Sequence, residues 1–364
     1  MSTSFVFTGS YTEQIRLGTG ELVQARGEGI CVFRLDECGR LTKLLSRPAP
    51  NPSYVVLHPD GRCLYAVNEL KEYSGLSSAA ICAYAFDAAG NKLRFLNRQA
   101  TNGEDACNLS FSPCGRYLLV ANYGGGSLCV YPIRADHSIG RMSCFFQHYG
   151  SGPNAVRQQA PHVHQVVADK SGTHVLAVDL GTDSVAAYRA DWQNGYLTPG
   201  PSIRTAPGMG PRLCAFDKTG KRMYLIAELG NMVCVYKYDE ENGIAELLQT
   251  ISTLPEGDGT ENTAACIRLH PNGRLLYASN RGHDSIAAYR IDGNGLLTLL
   301  HIQKTGGQTP RDFAITPAGD YLIVGHQESH DLVVFAVAAE NGTLREVTRA
   351  PCGAVACVHI ASIG

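Results

Sequence analysis

No stretch of this chain approaches the roughly 20 consecutive apolar residues that a membrane-crossing helix needs. The opening residues, Met1-Ser-Thr-Ser-Phe-Val-Phe-Thr-Gly-Ser-Tyr11, place no basic charge before a long apolar core, so no secretory leader is expected and a cytoplasmic location is. Charge of one sign is also missing. A formal net charge of −2 gives no field to attract nucleic acid or an anionic membrane, and neither is an expected partner. The thirteen cysteines are odd in number and include no Cys-x-x-Cys or Cys/His zinc spacing. Many sit in apolar, strand-like text such as Cys31-Val-Phe and Leu128-Cys129-Val-Tyr, which suits buried free thiols in a reducing compartment. Gly-x-Gly-x-x-Gly after an opening strand, a phosphate loop and the Gly-x-Ser-x-Gly nucleophile elbow are all absent. No cofactor is expected.

What the chain does contain is repetition. A Pro or Asp, a turn glycine and then an apolar run recur as His58-Pro59-Asp60-Gly61, Ser112-Pro-Cys-Gly115, Asp169-Lys-Ser-Gly172, Asp217-Lys-Thr-Gly220, His270-Pro-Asn-Gly273 and Thr316-Pro-Ala-Gly319. The period is near 50 residues, and each copy reads as four short strands, the signature of a propeller blade. A third strand ending in an aromatic recurs as Leu128–Tyr131, Val185–Tyr188, Val233–Tyr236 and Ile286–Tyr289, which predicts a repeated inter-blade contact. Six full copies lie within residues 49–351. The remainder, residues 1–48 with 352–364, supplies a seventh blade whose first strand, Val355–Ile360, comes from the carboxy terminus. The expected fold is all-β: a single domain over residues 1–364, a seven-bladed propeller whose ring closes by pairing its terminal strands.

Strand order in such a blade brings the loop entering the first strand and the loop leaving the second to the same face. Entering segments are Ala160-Pro-His162-Val-His164, Gly210-Pro-Arg212 and Thr309-Pro-Arg311. Leaving segments are Asn68-Glu69, Asn122-Tyr123, Asp179, Glu228, Asn280-Arg281-Gly-His283 and His326-Gln327. Titratable groups converging on one mouth are the usual look of a small-molecule site. His162, His164, Glu228 and Arg281 are therefore the candidate catalytic residues. Arg212, Arg311, Asn122, Asp179, His283 and Gln327 are candidates for binding substrate. Only one of His162 and His164 is expected to face the channel. Asn122 also has repeat equivalents in Asn68 and Asn280, which points to a turn cap, and Asp179 could act likewise. His58 and His270 precede Pro in turns on the opposite face and are set aside. The mouth holds more arginine than carboxylate, which disfavours a calcium-type oxygen site, and no metal is assigned.

The blocks Asn51-Pro-Ser-Tyr54, Ala121-Asn-Tyr-Gly-Gly-Gly-Ser127, Gln159-Ala-Pro-His-Val-His164, Gly210-Pro-Arg212, Ser279-Asn-Arg-Gly-His-Asp-Ser285 and Pro310-Arg311 resemble the lactonase family of seven-bladed propellers. That family includes propeller-type 6-phosphogluconolactonases and fungal 3-carboxy-cis,cis-muconate lactonizing enzymes. The resemblance runs the length of the chain, with departures at Leu213, Cys266 and Gly325-His326. It implies a working set of one His, two Arg and a Glu, which fall on His162 or His164, Arg212, Arg281 and Glu228. The function it implies is hydrolysis of a sugar-acid lactone, 6-phosphogluconolactone foremost, with a small anionic lactone or sugar acid as partner. In that scheme His activates water, the arginines anchor the anion, and Glu228 orients the His or donates a proton. The alternatives are a cycloisomerase that closes a carboxymuconate-type diacid, and a non-catalytic propeller that scaffolds other proteins. Self-association is left open.

Overall fold

The computed structural model describes residues 3–16, 22–23 and 25–363. Seven four-stranded antiparallel sheets account for nearly all of the regular structure, and no helix occurs among the described residues. In the closing blade the innermost strand is Val355–Ile363, followed outward by Thr3–Ser10, Ile30–Leu35 and Leu41–Arg47. Thr3 pairs with Ile363 and Gly9 with Cys357, so the two ends of the chain share one ladder and the ring has no free inner edge. The other six blades follow in chain order, their inner strands being Tyr54–Leu57, Ala106–Phe111, Val163–Ala168, Pro211–Phe216, Thr263–Leu269 and Pro310–Ile315.

The second strands explain why the repeat is so legible. Cys63–Asn68, Tyr117–Asn122 and His174–Asp179 are buried at every position, because each faces a neighbouring blade on both sides of its pleat. Such strands read as continuous apolar runs, without the alternation of a half-exposed sheet. The apolar residues of adjacent blades interleave, as where Val56, Tyr65 and Ile81 pack against Leu109, Val120 and Tyr131.

Tyrosines tie the blades at their outer edges. The third-strand aromatics reach the preceding blade: the Tyr131 hydroxyl donates to the Ala100 carbonyl at 2.5 Å, and Tyr289 to the Ser252 carbonyl at 2.7 Å. Second-strand tyrosines reach the following blade, Tyr65 to the His137 carbonyl at 2.8 Å, Tyr224 to Gly295 at 3.0 Å and Tyr277 to Gly342 at 3.1 Å. Each buries a large ring and satisfies its hydroxyl at the rim. The expected inter-blade role of the third-strand aromatic is therefore seen, with a second row of tyrosines beside it.

A second regularity concerns the first turn of the inner strands. Val163 pairs with Asp179 but Gln165 pairs with Val178, leaving His164 as an extra residue opposite the second strand. The same bulge leaves Cys107, Arg212 and Arg311 unpaired in their blades. A bulge re-aims the side chain it carries, and here it does so at the mouth of the central channel.

Ring closure depends on packing around the terminal ladder. Phe7 is fully buried, with its ring edge-on to Phe86 of the next blade at 5.1 Å. Phe7→Ala is expected to cost roughly 3–5 kcal/mol, read as a lowered midpoint in denaturant unfolding. A loss under about 1 kcal/mol would mean that the terminal strands do not hold the ring shut.

Candidate functional site

A cavity of about 650 Å³ opens where inner strands begin and second strands end. Its position follows from the chain. The residue just after each second strand is Tyr11, Glu69, Tyr123, Glu228 or Gln327 in five of the blades, and Arg281 ends that strand in a sixth; all six line the cavity. From the inner-strand side come His162, His164 and Arg311. Arg157 enters from the connection between the third and fourth blades.

Glu228 is the centre of this cluster. It is 3% exposed, and its Oε1 accepts a 2.6 Å hydrogen bond from Arg157 Nη2. Arg212 Nε and Arg281 Nη2 both approach Oε2 at 2.9 Å, off the hydrogen-bonding direction, as contacts of charge. Burial alone would raise the carboxyl, but Arg281, Arg157 and Arg212 outweigh it and hold Glu228 well below the ordinary 4.5. Glu228 is thus a permanent anion at neutral pH, and the expectation that it donates a proton does not suit this setting. Arg212 lies behind it, 4% exposed, with Nη1 donating to the Ala265 carbonyl at 2.6 Å. Burial, together with the repulsion of Arg212, Arg311 and Arg157, pulls Arg281 down to about 10 despite the attraction of Glu228.

A second carboxylate faces this group. The Tyr11 hydroxyl donates to Glu69 at 3.0 Å, and the Arg311 guanidinium lies 5.3 Å from the centre of the Tyr11 ring. Burial raises Glu69 above the ordinary 4.5, with Arg311 opposing. Around Glu228 and Glu69 stand four arginines, Arg157, Arg281 and Arg311 in the cavity wall and Arg212 behind Glu228, while Lys71, Asp105, Glu261 and Glu328 complete the lining.

Both histidines line the cavity, contrary to the expectation that one would turn away. His162 stands just before the strand and His164 is its bulged residue, so the alternation of a regular strand does not separate them. His162 stacks on Tyr123 at 4.5 Å with Nδ1 3.0 Å from the Tyr123 carbonyl, so Nδ1 carries the proton and Nε2 is the free acceptor. His164 meets the same tyrosine edge-on at 5.7 Å, and its Nδ1 is buried with no hydrogen-bond partner among the described residues. Burial, reinforced by Arg212, holds His164 well below 6.5, so the ring is neutral. The turn after Asp179 braces this segment closely. A Cβ on Gly181 would lie 1.9 Å from the Ala160 carbonyl, two residues before His162.

Other sequence-predicted residues fall elsewhere. Asn122 does not reach the cavity; its amide donates to the Thr101 carbonyl at 3.3 Å and to Ser127 Oγ at 3.0 Å, as Asn280 does to Thr253 at 2.7 Å. Asp179 is fully buried and accepts from the His162, Gly181 and Thr182 amides, with His148 Nδ1 at 2.8 Å. It positions the histidine segment from beneath. His283 turns to Ser285 Oγ at 2.7 Å and Asp258 at 3.4 Å, away from the cavity. Gln327 does line it and lies 3.4 Å from Arg311. Arg157 had no signal in the repeat. Its loop is set by Asn154, whose side-chain oxygen accepts from the Val156 and Arg157 amides.

Exchanging Glu228 for Gln keeps the shape and removes the charge that three guanidinium groups share. Breaking a buried ion cluster in this way is expected to cost about 3–5 kcal/mol. Added phosphate or sulfate should raise the melting temperature of Glu228→Gln more than that of the wild type, because the arginines then lack their counter-charge and an anion in the cavity can supply it. Equal shifts in the two proteins would contradict the charge balance drawn here.

The model of the family described as "Lactonase, 7-bladed beta-propeller" matches residues 5–360. A 6-phosphogluconolactonase of Bacillus subtilis is 33% identical over 332 residues, covering 89% of this chain and 92% of that one. A 6-phosphogluconolactonase of Formosa agariphila is 30% identical over 350 residues, covering 94% and 95%. The structure of the periplasmic gluconolactonase of Pseudomonas aeruginosa superposes with a TM-score of 0.88 at 31% identity over 99% of each chain.

Proposed function

The chain belongs to the lactonase family of seven-bladed β-propellers, and from that premise we propose that it hydrolyses a sugar-acid lactone, with 6-phosphogluconolactone as substrate. The observation that carries this reading is the gathering of arginines at one wall of the cavity, Arg157, Arg281 and Arg311 lining it with Arg212 behind Glu228, beside His164, which burial keeps neutral. A substrate bearing phosphate or developing carboxylate finds partners in those arginines, since Arg pairs with such groups through two-pronged hydrogen bonds. Two relatives named as 6-phosphogluconolactonases favour the phosphorylated sugar.

In the mechanism proposed, His164 removes a proton from water as it attacks the lactone carbonyl. His162, with Nδ1 donating to the Tyr123 carbonyl, is a wall and an orienting acceptor through Nε2. Arg281 faces the oxyanion that forms on the carbonyl oxygen, where a fixed positive group acts most strongly in a water-poor site. Collapse of the tetrahedral species breaks the ring C–O bond, and the imidazolium of His164 returns its proton to the departing alkoxide. Glu228 stays ionised throughout and holds the arginines in place. The thirteen cysteines, free among the described residues, support a reducing, cytoplasmic setting.

A lactone panel followed by pH-stat tests the proposal. Turnover of 6-phosphogluconolactone should exceed that of the unphosphorylated lactone roughly 10- to 100-fold in kcat/KM, the worth of one charged hydrogen-bonded pair. His164→Ala should lose about 10²–10⁴-fold in kcat, and Arg281→Ala about 10²–10³-fold. Undiminished turnover in both variants, or closure of a muconate-type diacid in place of lactone opening, would overturn it.

The pH profile follows from the lowered His164. A base held below 6.5 keeps its free nitrogen as the medium becomes mildly acidic, so kcat/KM should stay level from pH 8 to below pH 6.5 and fall only beneath that. An acid limb centred at or above 6.5 would show that another group is the base.

A further inference from the structure

On the face opposite the cavity, three metal-ligating side chains from two blades come together. His58 and Asp60 lie in the turn between Tyr54–Leu57 and Cys63–Asn68, and His137 in the connection between Ser127–Pro132 and Cys144–Gln147 of the next blade. One ligand atom from each falls within 4.8 Å of the others. Asp60 Oδ1 is 2.8 Å from His58 Nδ1, and its Oδ2 is 3.3 Å from His137 Nε2.

The repeat separates the structural share of this arrangement from the rest. His58 Nε2 lies 3.1 Å from the Gly115 carbonyl of the following blade, and in its counterpart His270 Nε2 lies 2.9 Å from the Gly319 carbonyl. Bonding between blades thus explains why a histidine stands at this turn, and fixes its proton on Nε2. In both turns Nδ1 accepts from the amide two residues on, Asp60 at 3.3 Å and Asn272 at 3.1 Å. The first turn alone puts a carboxylate at that position: Asp60 Oδ1 lies 2.8 Å from His58 Nδ1, closer than the amide, a repulsive contact unless a cation or a proton lies between. His137 adds to the case. It holds a left-handed backbone, φ 64, a conformation that favours glycine, while its ring stands 5.2 Å from that of His58.

We propose that His58 Nδ1, the Asp60 carboxylate and His137 Nε2 form a binding site for a divalent transition-metal ion that clamps two adjacent blades. Two imidazoles and one carboxylate suit Zn(II), Co(II) or Ni(II) better than calcium or magnesium, which favour all-oxygen shells. The bond from His58 Nε2 to Gly115 is the outer contact that orients a ligating imidazole. Asp60 is exposed, so water completes the coordination. The site is separate from the lactone cavity and independent of the proposed hydrolysis.

The test is equilibrium dialysis of the full chain against Co(II) and then Zn(II), at pH 7.5 with a non-chelating reductant. Co(II) is informative because its visible bands report coordination, and thiolate charge transfer would betray capture by exposed cysteines such as Cys38 or Cys114. One equivalent should bind without thiolate bands, and affinity should fall at least tenfold in Asp60→Asn and in His137→Gln. His270→Gln should bind as the wild type does. Metal should also raise the melting temperature of the wild type and not of the two site variants. Both variants alter exposed or half-buried groups, and their melting curves without metal check that they fold. No binding, binding unchanged in Asp60→Asn and His137→Gln, or binding through thiolate only would overturn the proposal.

Discussion

One buried carboxylate organises the business end of this molecule. Glu228 touches guanidinium groups from three directions: Arg212 from its own blade, Arg281 from the next, and Arg157 from an earlier inter-blade connection. Each of these charges would be costly to bury alone, and desolvation offsets much of what their attraction returns. The cluster is tolerable because every member sees an opposite charge at contact distance. Around Glu228 itself the arrangement is one-sided, with three guanidinium groups on one carboxylate and Arg311 in the same cavity wall. That residue of positive charge is held rigid by the blades and turned toward the open cavity, where an anionic sugar acid can complete it.

The scaffold makes this possible through a small deviation repeated around the ring. In a regular inner strand, side chains alternate between the two neighbouring blades. One extra residue at the strand's first turn breaks the alternation, and in separate blades that residue is Cys107, His164, Arg212 or Arg311. Interlocked tyrosines and apolar cores on either side fix the bulge in place, so chemically different groups can be exchanged there without disturbing the sheet. Stability and function are thereby assigned to different positions of the same repeat.

This division explains what could be read in advance. The blades were legible because buried second strands such as Leu64–Val67 and Leu118–Ala121 are continuous apolar runs set off by turn glycines. The mouth residues followed from strand order, which is why His164, Glu228, Arg281 and Arg311 were found. Asn122 and Asp179 were misplaced by a single step: the last residue of those strands caps the turn, and the residue after Asn122, Tyr123, enters the cavity. The same step picks out Tyr11 and Glu69. Arg157 was invisible because its loop has no counterpart in the other blades, and its position depends on an Asn154 turn that only three dimensions reveal. The ionisation of Glu228 was also beyond the sequence, since it depends on distances to guanidinium groups from three separate segments, at Arg157, Arg212 and Arg281.

The account stands on the arginine cluster acting as the anchor for an anionic sugar acid beside His164. A crystal structure of the protein with 6-phosphogluconate, the ring-opened product, addresses this most directly. An anionic group of the ligand should be hydrogen-bonded to Arg281 or Arg311, with the product's carboxyl carbon next to the cavity-facing edge of the His164 ring. A ligand bound elsewhere on the propeller, or one lying in the cavity with its anionic groups turned to solvent, would contradict it.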